Sequence, residues 1–333
     1  MADIAKAAGV SKNAVSLALR ADHQISETTR QRIEETAKKL GYRRNPVVGE
    51  LMARLHAGGP KRFRSSIALV NANMDKQALQ LHPTIPIYVD GCRRRAEELG
   101  YRIDEFWMRE PDFTTERWMK VFKARGIPGG IIVGLMNENR IHQSFLPVVE
   151  QMPFVVTGVR TRDPALPFAC VDHHMVALHA FEKALQLGYK RPGLVLDETI
   201  DALVEHRFTA GYRTGQQLVP HSRRLNPYLF TQKDIPSFAA WLKSQRPDVV
   251  FTLYNETQTW IQKASSEYRE KVDLIQYEWR ASNPEISGIN QHNDLAGQAA
   301  VDMLVGMLHR GERGVPEFSR ATLINPTWVN AVK

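Results

Sequence analysis

MADIAKAAGVSKNAVSLALR, residues 1–20, reads as two short helices around a tight turn. Ile4, Ala5 and Ala8 form one apolar stripe, and Val15 and Leu19 another. Gly9 stands where the chain must reverse, since glycine takes positive φ without steric cost. The Ser11 hydroxyl can cap the second helix. A small residue (Ala5) at the crossing, a glycine (Gly9) in the turn and a β-branched residue (Val15) in the shared core follow the logic of a helix-turn-helix. A helical hairpin inside some larger core has the same spacing, so the flanking sequence matters. A third helix fits Ser26 to Leu40, with Ser26 as cap, Ile33, Ala37 and Leu40 on one face, and Gly41 ending the run. Such a unit presents Lys12, Asn13, Ala14, Ser16 and Leu17 of its second helix to a major groove. There lysine and asparagine address base edges, and Ala or Leu can touch a thymine methyl.

Charge supports the same reading. Residues 1–64 hold 13 Lys/Arg against 6 Asp/Glu, while the other 269 hold 31 against 30. A basic head on a neutral body suits a polyanion, although a solvated basic terminus has the same composition. With 333 residues, 43% hydrophobic and 24% charged, the chain is a typical globular protein of two or three units, and global disorder is excluded. Cys92 and Cys170 are too few for a disulfide framework and, 78 residues apart, cannot pair in a zinc finger. No apolar run approaches the roughly 20 residues of a membrane span, and no signal peptide opens the chain, so a cytoplasmic location without membrane partners is expected.

Beyond residue 65 apolar runs alternate with helical patterns. Strands are expected at 67–73, 101–107, 129–135, 154–159, 192–197, 248–254 and 272–278. Helices are expected at 88–99, 114–125, 175–187, 204–218, 235–245, 256–268 and 294–309. Alternation of this kind builds parallel sheets with helices on both faces, and the length fits two such lobes. Between head and body, Asn45-Pro46 signals a helix start, with Val47, Leu51 and Leu55 on one face. Gly58, Gly59 and Pro60 then break the chain before Lys61, Arg62 and Arg64, which are placed to add non-specific phosphate affinity.

AGVSKNAVSLAL followed by ISETTRQRIEETAKKLGYRRNP resembles the head of the LacI/GalR family of transcriptional regulators. So do VDHHMVALHAFEKALQLGYKRPGLVL, HRFTAGY, GINQHNDLAGQAAVDML and ATLINPTWV, in order, for the family's core. The resemblance spans residues 2–330. It implies an all-α three-helix head at 1–45, a hinge helix and basic linker at 46–64, and a periplasmic-binding-protein-like core of two doubly wound lobes at 65–333. It implies base contacts from Lys12 and Asn13, a departure at Leu17 where a polar or basic residue is usual, and a minor-groove wedge at Leu51. Leu51 packing within its own chain is the plainer alternative. A Thr that caps the first helix in the family would lie ahead of Met1, which implies a fraying helix or an upstream start.

The resemblance also places Arg207, Asn255 and Glu278 at or beside ligand-contact positions, with Tyr254 and Trp279 able to stack on a sugar face. Asn255 and Glu278 each follow a strand, where open α/β sheets bind ligands. Each has a plainer reading: Arg207 as a solvated helix charge, Glu278 as a lysine's partner, the two aromatics as core. The family's arginine three before the glycine is Phe208 here, its aromatic pair is Thr84-Ile85, and its aspartate after the fourth strand is Gly158. These departures imply a reshaped pocket. Asp172, His173, His174 and His179 lack the i, i+4 spacing of a metal site, and no nucleophile, phosphate or dinucleotide motif occurs, so neither cofactor nor enzyme activity is expected.

The expected function is a DNA-binding regulator, repression being the default. It would be a homodimer on a palindromic operator, controlled by a small molecule with carbohydrate favoured. The rivals are a small-molecule α/β enzyme and a solute-binding protein, each with a helical appendage.

Overall fold

The computed structural model describes residues 2–11, 14, 15, 18, 25–40, 65–135, 138–264 and 272–332. Lys12, Asn13, Ser16, Leu17 and Leu51 lie outside the described residues, as do Leu19 and the whole hinge and basic linker through Arg64. In the head, α1 (Ala2–Ala8) and α2 (Glu27–Lys39) pack around Ile4, Ala5, Ala8, Val15, Ala18, Ile33 and Ala37. Gly9 takes φ +65°, and the Val10 N–H reaches back to the Ala5 carbonyl at 3.0 Å, closing α1 with a left-handed cap. Ser11 Oγ accepts from the Ala14 N–H at 3.1 Å, and Ser26 Oγ from the Thr29 N–H at 3.4 Å, so both expected caps form. Ala14 is half-buried in helical backbone.

A Cβ on Gly9 would meet nothing within 4 Å, so its demand is one of backbone geometry alone. Gly9→Ala is therefore expected to cost roughly 1–2 kcal/mol of local stability. Amide exchange in α1 should accelerate about tenfold, and unchanged protection would refute the cap.

The body contains two six-stranded sheets. The first orders β11-β5-β4-β3-β1-β2, all parallel, from β1 (Ser65–Asn71), β2 (Tyr101–Trp107), β3 (Gly130–Val133), β4 (Phe154–Thr157), β5 (Phe168–Val171) and β11 (Ala321–Ile324). The second orders β12-β10-β9-β8-β6-β7, from β6 (Pro192–Asp197), β7 (Tyr228–Phe230), β8 (Val249–Thr252), β9 (Asp273–Gln276), β10 (Gly288–Asn290) and β12 (Thr327–Val329). Among the described strands only β12 runs antiparallel, against β10.

Strand alternation sends Ile67, Leu69, Ile131 and Val133 to one face of the first sheet, under α3 (Ile85–Glu98) and α9 (Asn293–Arg310). Ala68, Val70 and Ile132 face the other way, onto Trp118 and Phe122 of α4 (Thr115–Arg125). The second sheet repeats the arrangement. Leu194, Leu196 and Phe251 lie under α5 (His173–Gln186) and α6 (Arg207–Gln216), and Val195 and Val250 under α7 (Ile235–Gln245) and α8 (Glu256–Ala264). Among the described residues no helix is long and apolar enough to cross a membrane.

The chain passes between the lobes three times, at Asp172, at Gln291-His292 and at Asn325-Pro326. The run ATLINPTWV, one of the stretches that resemble the family's core, forms two strands, β11 and β12, in different sheets. Pro326 has no N–H to give a ladder, and Asn-Pro breaks the strand where the lobes part. Five short strands, β5, β7, β10, β11 and β12, are absent from the series of seven expected from the apolar runs.

Candidate functional site

The carboxyl ends of both sheets face one another across a cavity of about 430 Å³. Each sheet has a topological switch point, between β1 and β3 and between β6 and β8, where doubly wound folds take ligands. The first lobe supplies the entry to α3 (82–88), the turn after β3 (133–135) and the turn after β4 (157–159). The second supplies the short helix Glu198–Leu203, Phe208 of α6, residues 253–256 after β8, and Glu278 and Arg280 after β9.

One end of the cleft is polar and joins the lobes. Glu278 is only 8% exposed. Its Oε2 accepts from Arg280 Nη2 at 2.7 Å and from the Thr84 hydroxyl of the opposite lobe at 3.1 Å. Its Oε1 accepts from Asn293 Nδ2 at 3.2 Å. Arg280 Nη2 also donates to Thr84 Oγ1 at 3.1 Å, completing a triangle across the cleft. Thr84 is available for this because His82 replaces it as helix cap. The Nδ1 of His82 accepts from the backbone N–H of Thr84 at 3.1 Å and of Ile85 at 3.3 Å. That acceptor role needs a neutral ring. Burial depresses the His82 pKa; Glu278 opposes the shift and Arg280 adds to it.

The other end is apolar. Ile200, Leu203, Val204 and Phe208 face Leu135 and Val159 of the first lobe. His173 borders this end, buried edge-on against the Phe208 ring at 4.9 Å. Burial first, then the Arg207 charge, push its pKa down to about 3, so the imidazole is neutral at physiological pH. Phe208 stacks in turn on Tyr277, with centroids 5.5 Å apart.

The orientation of α6 decides which of its side chains reaches the cleft. The Asp201 carboxylate is fully buried. It accepts from the Thr209 N–H at 3.2 Å, from the Thr209 hydroxyl, and pairs with His206 Nδ1 at 3.2 Å. This remote cap pins the first turn of α6. Phe208 then faces the cavity. Arg207, one helical step away, lines an adjoining recess with Arg160, Cys170 and Glu205, 3.7 Å from Asp172 Oδ1.

Of the residues expected at the site, Tyr254, Asn255 and Glu278 line one cavity. Asn255 Oδ1 accepts from Gln276 Nε2, and Tyr254 is half-buried with its phenol pKa pushed up by burial. Arg207 and Trp279 do not line the cavity. Trp279 follows Glu278 beyond a bend, and its backbone N–H donates to the Ile289 carbonyl at 2.7 Å. Thr84, Phe208 and Gly158 all line the cleft at positions where the sequence departs from the family pattern, and His82 and Arg280 carried no signal.

The described architecture is a head with helix-turn-helix caps and a two-lobed α/β core with a cavity between the lobes. Residues 1–45 match the family model "Bacterial regulatory proteins, lacI family". The chain is 25% identical over 189 residues to the HTH-type transcriptional regulator MalR of Streptococcus pneumoniae, covering 57% of this chain and 54% of that one. It thus spans about half the length of the curated relatives it matches. Among solved structures it is similar to a transcriptional regulator CelR–cellobiose complex (TM-score 0.54, 17% identity, 98% and 97% of the two chains). It is similar to CcpA of Lactococcus lactis (TM-score 0.58, 13% identity, 81% and 100%) and to the lac repressor dimer bound to operator and the anti-inducer ONPF (TM-score 0.54, 19% identity, 98% and 96%). These likenesses show the fold, and with the match of the head they bear out the LacI/GalR resemblance read from the sequence.

Proposed function

We propose that the chain is a DNA-binding transcriptional regulator, not an enzyme, whose hold on a palindromic operator is set by a small molecule in the interlobe cleft. The observation that carries this is a ligand-sized cavity bridged between the lobes by Thr84, Glu278 and Arg280, in a chain whose first 45 residues match a regulatory head. Residues 1–45 act as the head, 46–64 as hinge helix and basic linker, and 65–333 as the ligand-binding and dimerisation core. Lys12, Asn13, Ala14, Ser16 and Leu17 read bases, and Leu51 wedges a minor-groove step. Tyr254, Asn255 and Glu278 hold the ligand. A homodimer in the cytoplasm matches the two-fold symmetry of its operator. Carbohydrate is the ligand class favoured by the amide, carboxylate and guanidinium at one end of the cleft, and by a similar regulator solved in complex with cellobiose. Ligand and operator then shift each other's affinity by the same factor, with repression the default output.

Selection of genomic fragments on the ligand-free full-length chain tests this. The expected result is retention of a palindromic fragment, lost when residues 1–64 are deleted. Equal retention of all fragments at modest ionic strength would overturn the reading.

A further inference from the structure

The two ends of the cleft call for different ligand chemistry. In the second sheet the order β9-β8-β6 puts the end of β9, just before Glu278, two strand spacings (about 10 Å) from the end of β6, which leads into the short helix carrying Leu203. At the β9 end the charges are already matched. Glu278 Oε2 is shared between Arg280 and the Thr84 hydroxyl, so the cluster has no unbalanced charge seeking a counter-ion. What it offers is donors and acceptors side by side, which suits hydroxyl groups that both give and take hydrogen bonds.

At the β6 end Leu203, Val204 and Phe208 meet Val159 and Leu135 with no hydrogen-bonding side chain among them. Phe208 occupies the helix position facing the cavity, while Arg207 is turned into the adjoining recess. Gly158, at φ +92°, adds no polar side chain from the first lobe. A hydroxylated ring pushed into this end would leave water for a mostly apolar wall, with only the His173 imidazole and the Tyr88 hydroxyl at its border. An aromatic or branched-alkyl group there would lose only its contact with water.

We infer that the cleft selects a two-part ligand: a hydroxylated ring at Thr84, Glu278 and Arg280, joined to an uncharged aromatic or branched-alkyl group packed on Phe208, Leu203 and Val159. Within the carbohydrate reading, on which this rests, that is a glycoside with an apolar aglycone and not an oligosaccharide. The cavity of about 430 Å³ falls within the range that holds a two-ring molecule.

Calorimetry on the full-length chain decides it with matched probes: the methyl and phenyl glycosides of glucose, galactose and xylose in both anomers, together with maltose and cellobiose. At least one phenyl glycoside is expected to bind about tenfold or more tightly than its methyl partner and than either disaccharide. Val159→Thr keeps side-chain shape while adding a hydroxyl, and is expected to erase that advantage. Phe208→Ala should do the same, and the Val159 variant keeps the test open if the Phe208 variant does not fold. A disaccharide binding more tightly than every phenyl glycoside, phenyl and methyl members binding alike, or no member binding, would overturn the inference. Fragment selection on the ligand-free chain reports separately on the regulator reading, so the two failures are distinguishable.

Discussion

Gly297→Ala is expected to destabilise the first lobe by about 3 kcal/mol or more, the upper range for overpacking a closed contact. Gly297 of α9 lies against α3 so closely that an added Cβ would sit 2.2 Å from the Tyr88 carbonyl oxygen and 3.0 Å from the Cys92 nitrogen. Gly91 meets α9 from the other side, where a Cβ would fall 2.0 Å from the Asp294 carbonyl oxygen. Both obstacles are backbone, so relief requires the helices to separate. Because α9 returns to the first lobe from β10 of the second, that shift also moves Asn293, which donates to Glu278 in the cleft. The melting temperature should fall by about 6–12 °C. Gly306→Ala in the same helix is the control. Its Cβ would meet only the flexible tip of Arg310, so a change within about 1 kcal/mol is expected. Equal melting of the two variants would show that the crossing is looser than described.

Acid should loosen the protein before its carboxylates titrate. His173 has an ordinary imidazole pKa of 6.5 when unfolded and one of about 3 when folded, because burial and then Arg207 oppose its charge. His82 is shifted in the same direction. A group held below its unfolded value leaves stability intact above about pH 6.5 and removes it as the pH falls towards the folded value, since the unfolded chain then binds more protons. Between pH 7.5 and 5.5 His173 alone should cost about 1.4 kcal/mol of unfolding free energy, and a further ~1.3 kcal/mol by pH 4.5. Urea unfolding at these pH values measures it. His173→Gln should flatten the slope between pH 7.5 and 5.5 by about that first amount. An unchanged slope would show that the ring is not held neutral by burial.

Much of the site was visible in the order of elements. Tyr254, Asn255 and Glu278 follow β8 and β9, and a doubly wound sheet gathers whatever follows its strands at one edge. Arg207 and Trp279 show where that reasoning stops. Each neighbours a residue that does line the cavity, and a single step along the chain redirects a side chain, by about 100° on the helix of Arg207. Short, weakly patterned strands escaped for a related reason. The FACV of β5 and the YLF of β7 carry too few residues for a period to show, and sheet pairing alone defines them.

Local chemistry was enough to specify the caps at Gly9, Ser11 and Ser26, the alternation of strand and helix, and the bounds of β2, β6 and α7, because each depends on groups a few residues apart. Only the assembled fold brought Thr84 to Glu278, 194 residues away, split the last apolar run between two sheets, and let the buried Asp201 turn Phe208, not Arg207, into the cleft. Those outcomes depend on which surfaces meet after the lobes close, and contacts made at such separations leave no periodic trace along the chain.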